Sequence, residues 1–148
     1  MVKYILSLIS GIALLSFTIT ISGSSPLGYF DLPNLMFVVV CPFILMYILN
    51  GHNTVKTAFS VPFKNTVSKE ALLTANEYFK KYSEVTWLLT VIVVIMDIIS
   101  MLQWLEDKEA NAANLALTLL SVLYAALISV LVIIPFQIII NKKILGKV

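Results

Sequence analysis

The chain is poor in charge and contains no arginine. Of its 148 residues, 59% are hydrophobic and 12% are charged, whereas about 25% of a soluble domain is usually charged. So few charges cannot cover a globule of this size, which argues against a soluble enzyme, a nucleic-acid-binding domain and a disordered chain. The basic residues are all lysines, scattered along the sequence. Without guanidinium groups or a basic patch, we expect no nucleic-acid partner.

Cysteine and histidine are nearly absent. The single cysteine, Cys41, cannot form a disulfide within the chain and lies in an apolar run, which is typical of a buried thiol. The single histidine, His52, has no second histidine or cysteine with which to complete a metal site. No nucleophile motif or acid pair occurs at one depth of the predicted membrane. We therefore expect no metal, no cofactor and no enzymatic activity.

Apolar sequence is what the chain has in abundance. Four long apolar stretches stand out, at about residues 4–21, 32–49, 85–105 and 112–140. A hydrocarbon core of roughly 30 Å needs about 20 helical residues. The predicted fold is therefore all-α, an integral membrane protein with four transmembrane helices in a single domain over residues 1–148. Lys3 and the run after it resemble a signal peptide, but Met1 is present and we expect a retained first span.

The lysines predict the orientation, because cytoplasmic segments of membrane proteins are enriched in them. With both termini inside, the inner segments contain Lys3, Lys56, Lys64, Lys69, Lys80, Lys81, Lys142, Lys143 and Lys147. The outer loops then contain only Lys108. The opposite orientation reverses this distribution, so we expect a multi-pass protein with both termini in the cytoplasm.

The predicted cytoplasmic segment covers residues 51–84. Its first part, TVKTAFSVPFKN, is typical of a short interfacial helix that ends at Pro62. In its second part Ser68 can cap a helix, and no glycine or proline follows before Leu105. A helix over that range is about 57 Å long at 1.5 Å per residue. We therefore expect the third and fourth helices to be long and to extend into the cytoplasm.

Polar residues form one stripe on the third helix and one on the fourth. The first stripe consists of Thr86, Thr90, Asp97 and Ser100, and the second of Asn114, Thr118, Ser121 and Ser129. At 100° per residue, each stripe covers about 80° of its helix. Two interpretations are open: the stripes line a pore or face a partner, or they pack together through hydroxyl groups. Pro42 and Pro135 predict kinks in the second and fourth helices.

Asp97 is the residue that favours a functional interpretation. It lies 13 residues after Glu84 and nine before Glu106, hence near the middle of the membrane. A carboxylate at that depth costs about 2.5–3.5 kcal/mol on insertion scales. No predicted span contains a lysine. Asp97 is therefore protonated, or it faces water or a partner.

Two stretches carry a family resemblance. The first, GSSPLGYFDLPNLMFVVV, contains Phe30, Asp31 and Pro33 ahead of the second span. The second, MLQWLEDKEANAANLALTLLSVLYAALISVLVIIPFQI, contains an acidic outer loop, Tyr124 and Pro135. In order and spacing these features resemble the MotA/TolQ/ExbB family of proton-channel subunits, MotA most closely. TVKTAF is similar to the short elbow helix that follows the second span in that family.

The resemblance implies a membrane subunit of a proton-driven or ion-driven rotary motor or energiser complex in the bacterial cytoplasmic (inner) membrane. It implies a homopentamer in lipid whose third and fourth helices surround two copies of a single-span partner of the MotB/ExbD/TolR type. The proton-carrying carboxylate belongs to that partner in the family. Hydroxyl groups of the ring, here Thr90, Thr118 and Ser121, are then expected to line its path.

The chain also departs from the family. Its cytoplasmic segment has about 34 residues in place of a large force-transmitting domain. Trp87 stands in place of a usual proline, Val93 and Val94 in place of a Gly-Thr pair, and Val122 in place of a threonine. These departures favour an alternative, a non-conducting scaffold or accessory subunit that kept the fold and lost the ion path. A small carrier acting alone is a third hypothesis, which an inverted repeat would support, and the sequence shows no clear repeat.

Overall fold

The computed structural model describes residues 2–23, 25–64 and 66–146, and all regular structure in these ranges is helical. Its helices are α1 (Val2–Ile21), α2 (Leu32–Leu35), α3 (Cys41–Ser60), α4 (Lys69–Gln103), α5 (Lys108–Ile128) and α6 (Ile134–Ile144). The predicted all-α fold is confirmed. Lys147, which belongs to a predicted inner segment, lies outside the described residues.

Three helical segments are long and apolar enough to cross a membrane, at Leu32–Phe63, Lys69–Gln103 and Lys108–Ile144. They include the predicted second and fourth spans and all but the last two residues of the third, and each is longer than the corresponding span. The described part of the first span contributes a shorter apolar helix, Leu8–Ile21. By length and composition these three helices could span a membrane, and the count of four spans stays a prediction.

A wide helical turn lies just before each of the two prolines at which a kink is predicted. A π-helical turn, Met36–Val40, joins α2 to α3 just before Pro42, and a second, Ser129–Ile133, joins α5 to α6 just before Pro135. Proline has no N–H, and its ring clashes with the carbonyl four residues earlier, so the helix must widen or bend. For Pro135 that carbonyl belongs to Leu131, and it accepts a hydrogen bond from the Tyr4 hydroxyl at 3.2 Å.

Gly51 divides α3 into a membrane part and a short elbow helix. Its backbone angles, φ 75° and ψ 161°, are available almost only to glycine. The chain turns there and continues as a helix to Ser60, followed by the 3₁₀ turn Val61–Phe63. A short helix thus lies where TVKTAFSVPFKN predicts one, and the turn that ends it contains Pro62.

Helix α4 is the longest element and organises the others. The Ser68 hydroxyl caps it by accepting a hydrogen bond from the Ala71 N–H at 3.3 Å. Its 35 residues extend about 52 Å without a break. Around its first half lies an aromatic core made of Phe59, Tyr78, Phe79, Tyr82 and Phe136. Most of these rings meet edge to face, the arrangement that their quadrupoles favour.

Lys143 fastens the end of α6 to the elbow. Its ammonium donates hydrogen bonds to the backbone carbonyls of Val61, Pro62 and Lys64 at 2.9, 3.0 and 2.6 Å. Carbonyls at the end of a helix lack partners within the helix and carry partial negative charge. The ammonium group of Lys143 therefore fixes the elbow against α6.

Tyr124 fastens the opposite end of the molecule. Its hydroxyl donates to the Tyr29 carbonyl and accepts from the Asp31 N–H, both at 2.7 Å. The Asp31 carboxylate in turn caps α2 by accepting from the Asn34 N–H at 3.0 Å. The segment FDLPN is thus held against α5 by a tyrosine about 90 residues further along the chain.

Candidate functional site

Five hydroxyl side chains of the two polar stripes are buried within a single chain. These residues, the hydroxyl seam, are Thr86, Thr90, Thr118, Ser121 and Ser129, each between 0% and 7% exposed. Apart from tyrosines, they are the only buried residues with a polar side chain among those whose side chains the structure describes. Helices α4 and α5 run antiparallel and pack against each other, and the seam lies on the faces that they turn inward. The 100° spacing of the stripes therefore marks inward-facing surfaces.

Within the seam each hydroxyl donates to a carbonyl of its own helix. Thr86 donates to the Tyr82 carbonyl and Thr90 to the Thr86 carbonyl, both at 2.8 Å. On the other side, Ser121 donates to the Leu117 carbonyl and Ser129 to the Ala125 carbonyl. This arrangement lets hydroxyl residues pack in an apolar helix without an unpaired donor. Along most of the seam, each hydroxyl therefore has a hydrogen-bond acceptor within its own helix.

The exception lies at the outer end of the seam, where Asp97 meets Thr118. The Thr118 Oγ1 atom is 3.1 Å from Asp97 Oδ2 and 2.8 Å from the Asn114 carbonyl oxygen. A hydroxyl has one proton, so it can donate fully to only one of these oxygens at a time. The Thr118 hydroxyl therefore has two acceptors for its one proton, the Asp97 carboxyl oxygen and the Asn114 carbonyl oxygen. These three residues, Asp97, Thr118 and Asn114, form a hydrogen-bonded group at this end of the seam, here called the relay.

Nothing in the described part of the chain neutralises Asp97. The ion pair present there joins Lys81 to Glu77 at 3.7 Å, near the other end of α4. Asp97 and Asn114 are half-buried, while Ser100 is exposed. Beyond Asp97, most of the large side chains of α4 are also exposed, and Ile99, for example, is 50% exposed. Asp97 therefore lies at the border between the closed seam and a surface that lipid or a partner can reach.

The two prolines, Pro42 and Pro135, are not part of the relay. Pro42 is buried and Pro135 is half-buried, each beside its π-helical turn. Near the first turn, the Tyr82 hydroxyl donates to the Val39 carbonyl at 3.3 Å. Within the described ranges no group of three or more His, Cys, Asp or Glu side chains is arranged to hold a metal ion.

Sequence reasoning missed the tyrosines that fasten this framework. Tyr4, Tyr82 and Tyr124 each donate a hydrogen bond to a backbone carbonyl of a distant helix or loop. A signal for them existed, because a tyrosine in an apolar helix needs a partner for its hydroxyl. The identity of that partner depends on the packing of the helices and cannot be read from local spacing.

Comparison with known proteins finds no relative of this chain. No family model, no curated protein and no solved structure matches it. The family therefore remains a prediction carried by the residues quoted under Sequence analysis.

Proposed function

We propose that the chain is a compact membrane subunit of the MotA/TolQ/ExbB type, acting in an ion-driven motor or energiser complex of a bacterial cytoplasmic membrane. In this proposal four spans cross the bilayer, both termini are cytoplasmic, and the lower part of α4 extends into the cytoplasm. Five copies form a ring around a single-span partner. The long apolar segments and the order of features along the sequence support this reading.

The observation that carries the proposal is the relay of Asp97, Thr118 and Asn114. A lone carboxyl in an apolar helix is costly when charged. Its one hydrogen-bond partner among the described side chains is the Thr118 hydroxyl, which donates to Asp97 Oδ2 and also contacts the Asn114 carbonyl. Loss of the carboxyl proton requires water or a cation at the exposed side of Asp97. Binding and release of a proton can therefore be coupled to what lies against this surface of α4.

This assignment differs from the arrangement implied by the resemblance in one respect. In the family the cycling carboxylate belongs to the single-span partner, whereas here the chain has a carboxyl group of its own. The seam below it is closed by packing and has no spare hydroxyl protons. We therefore place proton exchange at the outer, half-buried end, between Asp97 and the partner, and not along the interior of the seam.

Proton flux tests the proposal. The protein is purified from its native membrane together with any partner protein that stays bound, and is reconstituted into vesicles. A potassium diffusion potential then drives proton flux, which is recorded as a change in internal pH. Asp97→Asn should reduce the flux at least about tenfold, since an amide cannot exchange a proton. Asp107→Asn is the matched control, because that carboxylate caps α5 from the outer loop and asparagine caps a helix equally well. Equal fluxes in both variants contradict a conducting role for Asp97.

The closed seam favours a second candidate, the non-conducting scaffold. Its hydroxyl groups are buried and bonded within their own helices, as in a packing surface. If the chain is a scaffold, the Asp97→Asn and Ser121→Ala variants should both assemble normally. The activity of the complex should then not depend on protons. Mass measurement of the detergent complex checks the assembly common to both candidates: a ring of five with a smaller partner is expected, and a lone monomer contradicts both.

A further inference from the structure

An open cavity of about 300 Å³, lined by both polar and apolar surface, lies between α3 and the first half of α4. Its polar lining consists of Asn50, Thr54, Thr74, Glu77, Tyr78 and Lys81. It contrasts with a wholly apolar groove of about 330 Å³ beside Val39 and Phe43. In a chain with so few polar residues, a cavity that gathers an amide, hydroxyls and both charge signs is suited to a polar ligand.

Tyr78 is the second observation that points to a ligand. The residue is 2% exposed, and its hydroxyl has no hydrogen-bond partner among the described residues. The other faces of its ring are covered by Phe59, Phe79 and the stacked ring of Tyr82, whose centroid is 6.2 Å away. A buried hydroxyl left unpaired is destabilising, and Tyr78 is one of the residues that line the cavity. A bound group with an acceptor oxygen would satisfy it.

The charges of the cavity define the class of ligand. Lys81 and Glu77 are one helical turn apart with their charged atoms 3.7 Å from each other, and both side chains are more than half exposed. Together they offer one cation and one anion to a ligand. A zwitterion that carries a phosphate and an ammonium matches this pair, with the phosphate at Lys81 and the ammonium at Glu77.

The position of the cavity selects a lipid over a soluble zwitterion. Asn50 directly follows Ile48 and Leu49, which are 70% and 76% exposed, so the apolar surface of the second helical segment ends at the cavity. In a membrane, acyl chains cover such a surface and the head groups lie at its end. A lipid held here would place its head group in the cavity and its chains along α3.

We propose that this cavity binds the head group of a zwitterionic phospholipid, in the leaflet that faces the Asn50 end of the spans. The phosphate contacts Lys81 and the Thr54 hydroxyl, the ammonium contacts Glu77, and the Tyr78 hydroxyl donates to a phosphate oxygen. The site lies far along α4 from Asp97 and does not depend on ion transport. It gives the chain a specific lipid requirement at its elbow.

Binding is tested by native mass spectrometry of the delipidated protein in detergent. Phosphatidylethanolamine should be retained in preference to phosphatidylglycerol. Lys81→Gln should weaken that retention about tenfold, the effect of losing one strong polar contact. Glu77→Gln should abolish the preference for the zwitterion. Lys80→Gln is the matched control, because Lys80 is exposed on the same helix and does not line the cavity.

Tyr78→Phe supplies a second readout that does not depend on the charges. The variant should melt at a higher temperature than the wild type when delipidated, because it lacks an unpaired buried hydroxyl. Phosphatidylethanolamine should then raise its melting temperature less than that of the wild type. Three results overturn the proposal: equal retention by Lys81→Gln and Lys80→Gln, no preference between the two lipids, or equally tight binding of soluble phosphoethanolamine.

Discussion

The two halves of α4 are packed by different chemistry. The first half buries apolar and aromatic side chains, including Leu72, Ala75, Phe79 and Tyr82, against the elbow and α6. The second half buries Thr90 and Val93, and no side chain between residues 94 and 103 is buried. One continuous helix thus begins in a dense core and ends almost uncovered.

The difference shows which contacts a single chain can supply for itself. The aromatic core joins three helical segments and needs no other molecule to form. The second half of α4 presents large apolar side chains such as Met96 and Leu102, 61% and 59% exposed, near Asp97, the one acid of that half. A contiguous surface of this kind is typical of contact with lipid or with another protein. Stability therefore comes mainly from the first half, and the proposed function resides at the end of the second.

The largest expected effect on stability comes from a substitution in the aromatic core. Phe79 is fully buried and meets the rings of Phe59 and Phe136 at centroid distances of 5.3 and 5.2 Å. Phe79→Ala should lower the free energy of unfolding by about 3–5 kcal/mol, through lost burial and the cavity left behind. Ile99→Ala, in the uncovered half, should cost less than about 1 kcal/mol. Denaturant titration in detergent micelles measures both, and similar losses at the two sites would remove the distinction between the halves.

An intermediate effect concerns the edge of the core. Lys143→Met keeps most of the apolar stem but leaves the three carbonyls of Val61, Pro62 and Lys64 without their donor. A loss of about 1.5–3 kcal/mol is expected, the range for a hydrogen bond that involves a charged group. Proteolysis at the elbow should also become faster. Lys142→Met is the control, since Lys142 is exposed, and equal protease sensitivity of the two variants contradicts the role of Lys143.

Local features of the fold were predictable because their causes are local. Ser68 was expected to begin α4 and does so through its hydroxyl. The absence of glycine and proline predicted a helix without a break up to Leu105, and it ends at Gln103. The 100° spacing placed Thr90 and Ser121 on the polar stripes of their helices, and the structure buries both residues. Each of these results depends on residues within a few helical turns.

Features that join distant parts of the chain were not predictable. The spacing that identified the two stripes left open whether they face a pore or each other, because a stripe fixes only the side of its own helix. The structure brings Asp97 to Thr118 at 3.1 Å, and that pairing depends on the register of α4 against α5. Lys143 and Tyr124 act over about 80 and 90 residues. Their partners are set by packing, which a single sequence does not display.

The smallest expected effect on stability concerns Thr90 and Thr118, two residues of the hydroxyl seam. Thr90 is 1% exposed and its hydroxyl donates to the Thr86 carbonyl of the same helix. That carbonyl also belongs to the backbone ladder, so Thr90→Val leaves no group without a partner and should change the free energy of unfolding by less than about 1 kcal/mol. Thr118→Val should be similarly mild for stability, yet it removes the group that bonds Asp97 and should lower proton flux. Measuring unfolding and flux on both variants separates packing from function. A loss at Thr90 as large as that at Phe79 would show that the hydroxyl seam, and not the aromatic core, stabilises the chain.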